Sequence, residues 1–379
     1  TLRNVKDTDN IKNFVNDTKP TKATVVGGGF IGVEMAENLK HLGLEVTIVE
    51  MLNQVLAPLD FEMAAIIHNH LNEKGVNLIL EDGVKAFHEN GKKIELTSGK
   101  IIDSDITILA IGVKPENKLA IDAGLEVSER GGIVVNENHQ TSDSSILALG
   151  DAIQVKDFIF QDATQVPLAW PANRQARIVA DVICGKESSY AGTLGTAIVK
   201  VFDLTVAVTG ANEKRLKKLA KEYLQVHIHP GSHAGYYPGA SAISLKMTFD
   251  KNGKVLGAQA IGREGADKRI DVIATAIKAG FTIYDLQNLE LAYAPQFSSA
   301  KDPVNMLGYV AEDILTNSVE TIQWNEVKDL DLNNNVIVDV REPGELEMGY
   351  IENAINIPLS ELRERLMSNT LDTIEKDKT

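Results

Sequence analysis

After a polar opening, the chain falls into short apolar runs separated by glycine turns and amphipathic stretches. Residues 1–20 are polar and end in Lys19-Pro20, which reads as a linker or domain boundary. Residues 24–26 form a short buried strand, and residues 27–32 a glycine turn. Residues 33–41 form a helix with Met35, Ala36 and Leu39 at helical spacing. Gly43 stops that helix, and residues 44–49 are the next strand, ending at Glu50. Strand, glycine turn, helix and strand make a βαβ unit of a parallel sheet. Asp60 is placed to cap a second helix whose Ala64, Ile67 and Leu71 share a face, with Gly75 as its stop. Residues 76–80 follow as a strand, residues 84–106 as short strands joined at Glu89-Asn90-Gly91, and residues 106–110 as another buried strand.

Residues 133–136 are short and extended, and residues 145–148 form a strand ending at Gly150-Asp151. Residues 171–183 form a helix with Pro171 at its start and Gly185 after it. From residue 191 the pattern changes. Residues 198–201, 205–208, 225–229, 242–249 and 255–261 read as strands; residues 269–279, 283–286 and 303–315 read as helices. That pattern predicts an antiparallel sheet with helices on one side. Near residue 320 a third region begins, with a buried strand at 336–340, a polar turn, a helix at 360–366 and a polar tail at 375–379.

Composition narrows the class. The chain has 379 residues, enough for two to three domains at ~150 residues each. Lys and Arg number 38 against 53 Asp and Glu, a net charge of −15. That balance argues against a nucleic-acid scaffold, which needs clustered basic residues. No apolar run approaches the ~20 residues of a membrane span. Residues 1–7 carry no signal-peptide core, so a cytoplasmic enzyme without a membrane partner is expected. The single cysteine, Cys184, excludes an internal disulfide framework. The first residue is not Met, which suggests a chain that starts inside something larger.

Gly27-x-Gly29-x-x-Gly32 has the context of a dinucleotide site: a strand before it, a helix after it, and an acid ending the next strand. Gly27 permits the tight turn, Gly29 lets a pyrophosphate approach the backbone, and Gly32 lets helix pack on sheet. The pyrophosphate then sits at a helix N-terminus, which favours anions. Glu50, 18 residues past Gly32, can accept hydrogen bonds from both adenosine ribose hydroxyls. It would repel a 2′-phosphate, and Met51-Leu52 supplies no Arg, so NADH is favoured while NADPH is not excluded. Asp151, after Gly150 at a strand terminus, can bind a polyol such as a flavin ribityl chain. The helix beginning at Pro171 could face a flavin with its positive end. A plain helix cap is the competing reading of Asp151.

At these residues the chain becomes recognisable. Gly27 to Glu37 (GGGFIGVEMAE), Ala110-Ile111-Gly112-Val113-Lys114-Pro115 and Ile146 to Ala152 (ILALGDA) together resemble the pyridine nucleotide–disulfide oxidoreductases. Leu168-Ala169-Trp170-Pro171-Ala172-Asn173-Arg174-Gln175, Gly192-Thr193-Leu194-Gly195-Thr196 and Gly262 to Asp271 look like the branch holding coenzyme A disulfide reductase, NADH oxidase and NADH peroxidase. Val338-Asp339-Val340-Arg341-Glu342-Pro343, Gly349-Tyr350-Ile351 and Ala354-Ile355-Asn356-Ile357-Pro358 resemble the first half of a rhodanese domain.

The resemblance implies an α/β fold. Residues 1–20 would be a remnant of the FAD domain, 21–136 a Rossmann-type NAD(P)H domain and 137–190 the second part of the FAD domain. Residues 191–318 would be an α+β dimerisation domain and 319–379 a partial rhodanese segment. It implies FAD and NADH as cofactors and a CoA disulfide or persulfide as substrate of a homodimer. Phe30, Ile31 and Gly112 join the cofactor-binding residues, and Glu34 becomes an acid near the flavin. The family's FAD fingerprint and redox cysteine are not matched here, nor is the rhodanese cysteine, so an internal fragment is expected. Cys184, late in a helix beside Gly185, reads as a buried structural thiol.

The resemblance also singles out two tyrosines. His233-Ala234-Gly235-Tyr236-Tyr237-Pro238-Gly239 and Ala292-Tyr293-Ala294-Pro295 match positions where these reductases place paired tyrosines that reach the partner subunit's active site. There a phenol can donate to the departing CoA thiolate without ionising. Tyr236 and Tyr293 are the candidates for that catalytic role, although Tyr237 fits the first position equally.

Other polar clusters carry less. His227, His229 and His233 invite a metal, but no cysteine cluster or acidic third ligand stands near in sequence, so none is expected. Lys268-Arg269 could hold a phosphate, or pair with Asp267 or Asp271. Residues 214–221 read as a solvated basic helix face. The reading that results is an FAD- and NADH-dependent coenzyme A disulfide or persulfide reductase. An NADH oxidase or peroxidase and a non-catalytic nucleotide-binding and dimerisation fragment are its competitors.

Overall fold

A computed structural model describes residues 1–368. The chain divides into two units, Thr1–Ser318 and a second beginning at Val319.

The first unit opens with a helix, α1 (Val5–Thr18), where the sequence reads as a linker. Asn4 accepts from the Asp7 N–H at 3.0 Å while the Asp7 carboxylate accepts from the Asn4 N–H, a reciprocal capping box. Ile11 and Val15, one turn apart, pack on the core below. The remaining positions are polar, and that composition hides the helix.

Next comes β1 (Lys22–Val26), α2 (Phe30–His41), β2 (Glu45–Val49), α3 (Phe61–Glu73) and β3 (Val76–Ile79). An antiparallel flap, β4 (Val84–His88), β5 (Lys93–Leu96) and β6 (Ile101–Asp103), precedes β7 (Ile106–Leu109). The parallel sheet runs β3-β2-β1-β7, with Val26 opposite Val49 and Leu109. Val25, Val46 and Ile48 are fully buried, as parallel strands covered on both faces require. α2 buries Gly32, Val33, Ala36 and Leu39 against it. Asp60 precedes α3 at the capping position but its side chain does not cap the helix. It turns instead toward the second half of the unit, where Gln259 Nε2 donates to it at 2.5 Å and the Glu213 N–H at 3.0 Å.

α4 (Lys118–Asp122), β8 (Ile133–Val134), β9 (Ile153–Lys156), β10 (Ala163–Thr164) and α5 (Ala169–Ile183) form a small mixed layer, with sheet order β10-β9-β8. The strand expected at 145–148 does not form. Leu147 makes only an isolated bridge to Gln140, and residues 150–152 are one 3₁₀ turn. The cause is local: the Asp143 carboxylate accepts from the Ser145 N–H at 2.9 Å and from its hydroxyl at 2.5 Å, which curls the chain. Cys184 ends α5 and is exposed, not buried.

A five-stranded antiparallel sheet completes the unit. Its elements are β11 (Ala197–Val201), β12 (Leu204–Gly210), α6 (Glu213–Lys218), β13 (Leu224–Ile228), β14 (Ile243–Phe249) and β15 (Val255–Gly262). The order is β11-β12-β15-β14-β13. α7 (Ala266–Ala279), α8 (Ile283–Gln287) and α9 (Pro303–Leu315) pack their apolar residues on it, with Ile270, Ile273, Leu286 and Leu307 in one cluster with Leu245, Met247 and Phe249. The sheet and its helices follow the periodicity of the sequence closely.

In the second unit, β16 (Val338–Asp339) pairs in parallel with β17 (Ile355–Asn356), and α10 (Leu359–Met367) follows. The strand expected at 336–340 is cut to two residues. The Asp339 carboxylate there accepts from the Arg341 N–H at 3.1 Å and from its guanidinium at 2.6 Å, turning the chain out of the strand. The polar tail at 375–379 lies outside the described residues.

Candidate active site

The glycine turn joins β1 to α2. Gly27 has φ +105, and a Cβ there would lie 2.3 Å from the Ala110 carbonyl oxygen. A Cβ on Gly32 would lie 1.9 Å from the Gly27 carbonyl oxygen. Both positions admit glycine alone, one for the turn and one for the helix–turn contact. Gly29 differs: nothing lies within 4 Å of its Cβ position. Its missing side chain leaves open space outside the N-terminus of α2, where Gly29 is the cap residue and contributes no capping side chain. A pyrophosphate fits that space and that field. Phe30 and Ile31 open α2, the first half-buried and the second exposed. Gly112, at φ +100, follows β7 on the loop that begins beside Gly27.

Glu50 closes the turn from the end of β2. One carboxylate oxygen accepts from the Gly28 N–H at 2.6 Å and the other from the Leu52 N–H at 2.9 Å. Each oxygen keeps a second lone pair, enough for a pair of ribose hydroxyls. The acid is thus held rigidly at the mouth of the glycine turn. Glu34 is exposed on α2, its carbonyl taken by Asn38 Nδ2 at 2.8 Å.

A second turn lies at Gly150, with φ +81. Its N–H donates to Gln175 Oε1 at 2.7 Å. Gln175 is buried on α5, so it pins this turn to the helix; sequence reasoning gives Gln175 no role. Asp151 follows, exposed, beside the start of α5, whose first turn has no side-chain cap. An exposed carboxylate next to an open helix N-terminus suits a flavin polyol and ring.

The tyrosines meet. Tyr236 and Tyr293 place their hydroxyls 3.3 Å apart, and both rings are exposed. Tyr237 instead stands edge-on to His233, ring centroids 5.8 Å apart. The hydrogen bond with Tyr236, and then burial, push the Tyr293 phenol above its ordinary range.

Several polar groups take partners the sequence does not announce. Buried Lys246 stands among Asp60, Glu62 and Glu213, 2.9 Å from Asp60. Among the described residues these three carboxylates are the cluster spaced for a cation, and the ammonium already fills it. Burial raises Glu62, but hydrogen bonds from His227 and Lys246 and the Lys246 charge outweigh it and bring its pKa to about 2. Lys214 donates to the carbonyls of Ala57 and Leu59, and Arg215 pairs with Asp162 at 2.6 Å, so these two basic residues hold elements together, while Lys217, Lys218 and Lys221 are exposed. Arg269 pairs with Asp302 at 3.0 Å and not with Asp267 or Asp271. His229 meets Ser244, and His233 meets the Ala234 carbonyl.

Two glycine turns, each beside a helix N-terminus, together with an antiparallel sheet domain suit a dinucleotide-dependent oxidoreductase. The chain belongs to the pyridine nucleotide-disulphide oxidoreductase family, whose model matches residues 1–176. The model of that family's dimerisation domain matches residues 196–303, and that of a rhodanese-like domain residues 323–379. Coenzyme A disulfide reductase of Staphylococcus epidermidis is 38% identical over 314 residues, 82% of this chain and 71% of the relative. The Staphylococcus aureus protein of the same name is 37% identical over 315 residues, with the same shares. The crystal structure of reduced Bacillus anthracis CoADR-RHD superposes with a TM-score of 0.94 at 56% identity, covering 100% of this chain and 67% of that one. A NAD-dependent persulfide reductase from A. fulgidus gives 0.91 at 40%, covering 100% and 68%. A water-forming NADH oxidase from Lactobacillus brevis, at 22% identity and 0.79, shares the fold.

Proposed function

We propose that this chain provides the NADH pocket, part of the FAD site and the dimerisation domain of a coenzyme A disulfide or persulfide reductase. The observation that carries this reading is the Tyr236–Tyr293 hydroxyl pair, 3.3 Å apart and exposed. Binding of nucleotides has no use for it. Two phenols at that spacing can donate to a sulfur anion while remaining protonated at neutral pH.

The residues divide the work as follows. Gly27, Gly29 and Gly32, with the opening turn of α2 at Phe30 and Ile31, hold the pyrophosphate of NADH. Glu50 receives the ribose hydroxyls and repels a 2′-phosphate, which sets the preference for NADH over NADPH. Gly112 leaves backbone room opposite the turn. Gly150 and Asp151 would hold the flavin ribityl chain, and Glu34 would lie toward the flavin side. FAD bound there would supply the redox chemistry between the nicotinamide and sulfur. Tyr236 and Tyr293 steady the CoA thiolate as the S–S bond breaks. The balance is CoA disulfide, NADH and a proton giving two CoA thiols and NAD⁺; with a persulfide, one CoA thiol and hydrogen sulfide.

The proposed division is 21–136 for NADH, 137–190 for FAD, 191–318 for dimerisation and 319–379 for the rhodanese-like part, with 1–20 belonging to the FAD domain. The similar proteins named for disulfide and persulfide reduction support it, as does the match to a dimerisation domain. A cytoplasmic homodimer acting on a small-molecule disulfide is the assembly we infer.

The test is NADH oxidation by the protein supplied with FAD, with and without CoA disulfide. Oxidation that requires CoA disulfide supports the reading. Oxidation driven by dioxygen alone favours an oxidase. NADH binding without any turnover favours a nucleotide-binding and dimerisation module.

A further inference from the structure

A buried cation joins the two loops that carry the tyrosine pair. Arg269, on α7, is 1% exposed, and its guanidinium serves both loops that carry the phenols. Nη2 donates to the Ser232 carbonyl at 3.0 Å, four residues before Tyr236. The same nitrogen donates to Ser298 Oγ at 3.1 Å, five residues after Tyr293, and to Asp302 Oδ2 at 3.0 Å. Nη1 donates to the Gly265 carbonyl at 3.2 Å, which fixes the fork to its own helix start. Ser298 Oγ in turn donates to Asp302 Oδ2 at 2.6 Å.

These struts have firm footings. Asp302 caps α9, accepting from the Val304 N–H at 3.0 Å, and α7 and α9 both pack on the five-stranded sheet. The two loops also touch directly. The Ala234 N–H donates to the Pro295 carbonyl at 3.2 Å and to the Ser298 carbonyl at 3.0 Å. A buried ion pair is weak evidence for stability, because desolvation offsets most of its attraction. A planar fork of five donors is, however, well suited to joining several acceptors in a fixed geometry, which a lysine cannot reproduce.

We propose that Arg269 is the positioning residue of the Tyr236–Tyr293 pair. Through Ser232 on one loop, and Ser298 and Asp302 on the other, it sets the separation of the two hydroxyls. The inference rests on the reading of that pair as the group that meets the departing thiolate. Arg269 itself touches neither substrate nor flavin in this account.

The test compares Arg269→Lys and Ser298→Ala, each alone, with Ser298→Ala also placed on Tyr293→Phe. Ser298→Ala removes one strut while the Arg269–Asp302 pair stays, so it decides the question where Arg269→Lys fails to fold. Tyr293 ionisation is read by ultraviolet absorbance titration as the difference from Tyr293→Phe. CoA disulfide turnover and the KM for NADH are read alongside, with FAD supplied. Positioning predicts that Ser298→Ala lowers the pH at which Tyr293 ionises. It also predicts a kcat reduced about tenfold, the worth of one hydrogen bond, at unchanged KM for NADH. On Tyr293→Phe the same substitution changes nothing further. An unchanged Tyr293 titration overturns the proposal, as does an equal loss of turnover in both backgrounds. If Tyr293→Phe keeps full turnover while Ser298→Ala still shifts the titration, the positioning stands and the catalytic reading of the pair falls.

Discussion

The hydroxyls of Tyr236 and Tyr293, 57 positions apart in the chain, stand 3.3 Å from one another. Neither loop has regular structure at these residues; the link from Ala234 to Pro295 and Ser298 brings them together. With one hydroxyl donating to the other, the pair presents one free O–H to an incoming anion, and the second becomes available when the anion displaces the bond between them.

Tyr293→Phe removes one of those donors without changing the ring's bulk. Made at the matching position of an intact homologue that carries the redox cysteine, with FAD bound, the change lowers CoA disulfide turnover about tenfold or more, the loss of a hydrogen bond to a charged group. Flavin reduction by NADH, followed by stopped-flow bleaching, keeps its rate. Equal slowing of both steps contradicts the assignment.

Glu50→Ala removes the ribose acceptor and a carboxylate that would repel a 2′-phosphate. NADH affinity falls about tenfold, at ~1.4 kcal/mol per decade. NADPH affinity falls less, so the two dissociation constants converge in a fluorescence titration. Unchanged NADH affinity removes Glu50 from the ribose.

The two glycines separate folding from binding. Gly32→Ala forces a methyl against the Gly27 carbonyl oxygen and costs about 3 kcal/mol, read as a lower melting temperature. Gly29→Ala meets nothing within 4 Å, so the protein melts as before. Its methyl stands where the pyrophosphate approaches, and NADH binding weakens. Normal NADH affinity in Gly29→Ala contradicts this placement.

The parallel sheet, the glycine turn and the five antiparallel strands were legible in the sequence because their signals are local. Val25, Val46 and Ile48 sit in apolar runs that only a covered sheet explains, and Gly27 and Gly32 stand at the spacing their steric roles demand. The remainder depends on contacts no local pattern records. Lys246 gathers Asp60, Glu62 and Glu213 from distant parts of the chain. Arg269 takes Asp302, although Asp267 and Asp271 are nearer in sequence. Helix α1 is missed because its composition is polar, and the strand before Gly150 is lost to the Asp143–Ser145 turn. The two tyrosines stand out by resemblance; periodicity alone does not single them out.

Lys246→Met leaves three carboxylates without their ammonium and destabilises the protein by about 3–5 kcal/mol, read by chemical denaturation. The same cluster sets an acid limit. Glu62 is held at about 2, below its ordinary value of 4.5, so its contribution is complete above about pH 4.5 and is lost as pH falls from there toward 2. Melting temperature against pH therefore declines more steeply across that window in the parent protein than in Glu62→Gln. Parallel curves contradict the assignment.

The most direct test of the central claim counts CoA thiol released per NADH oxidised, under anaerobic conditions, with FAD and CoA disulfide supplied. Disulfide reduction predicts two thiols for each NADH. NADH consumed with no thiol released contradicts the account.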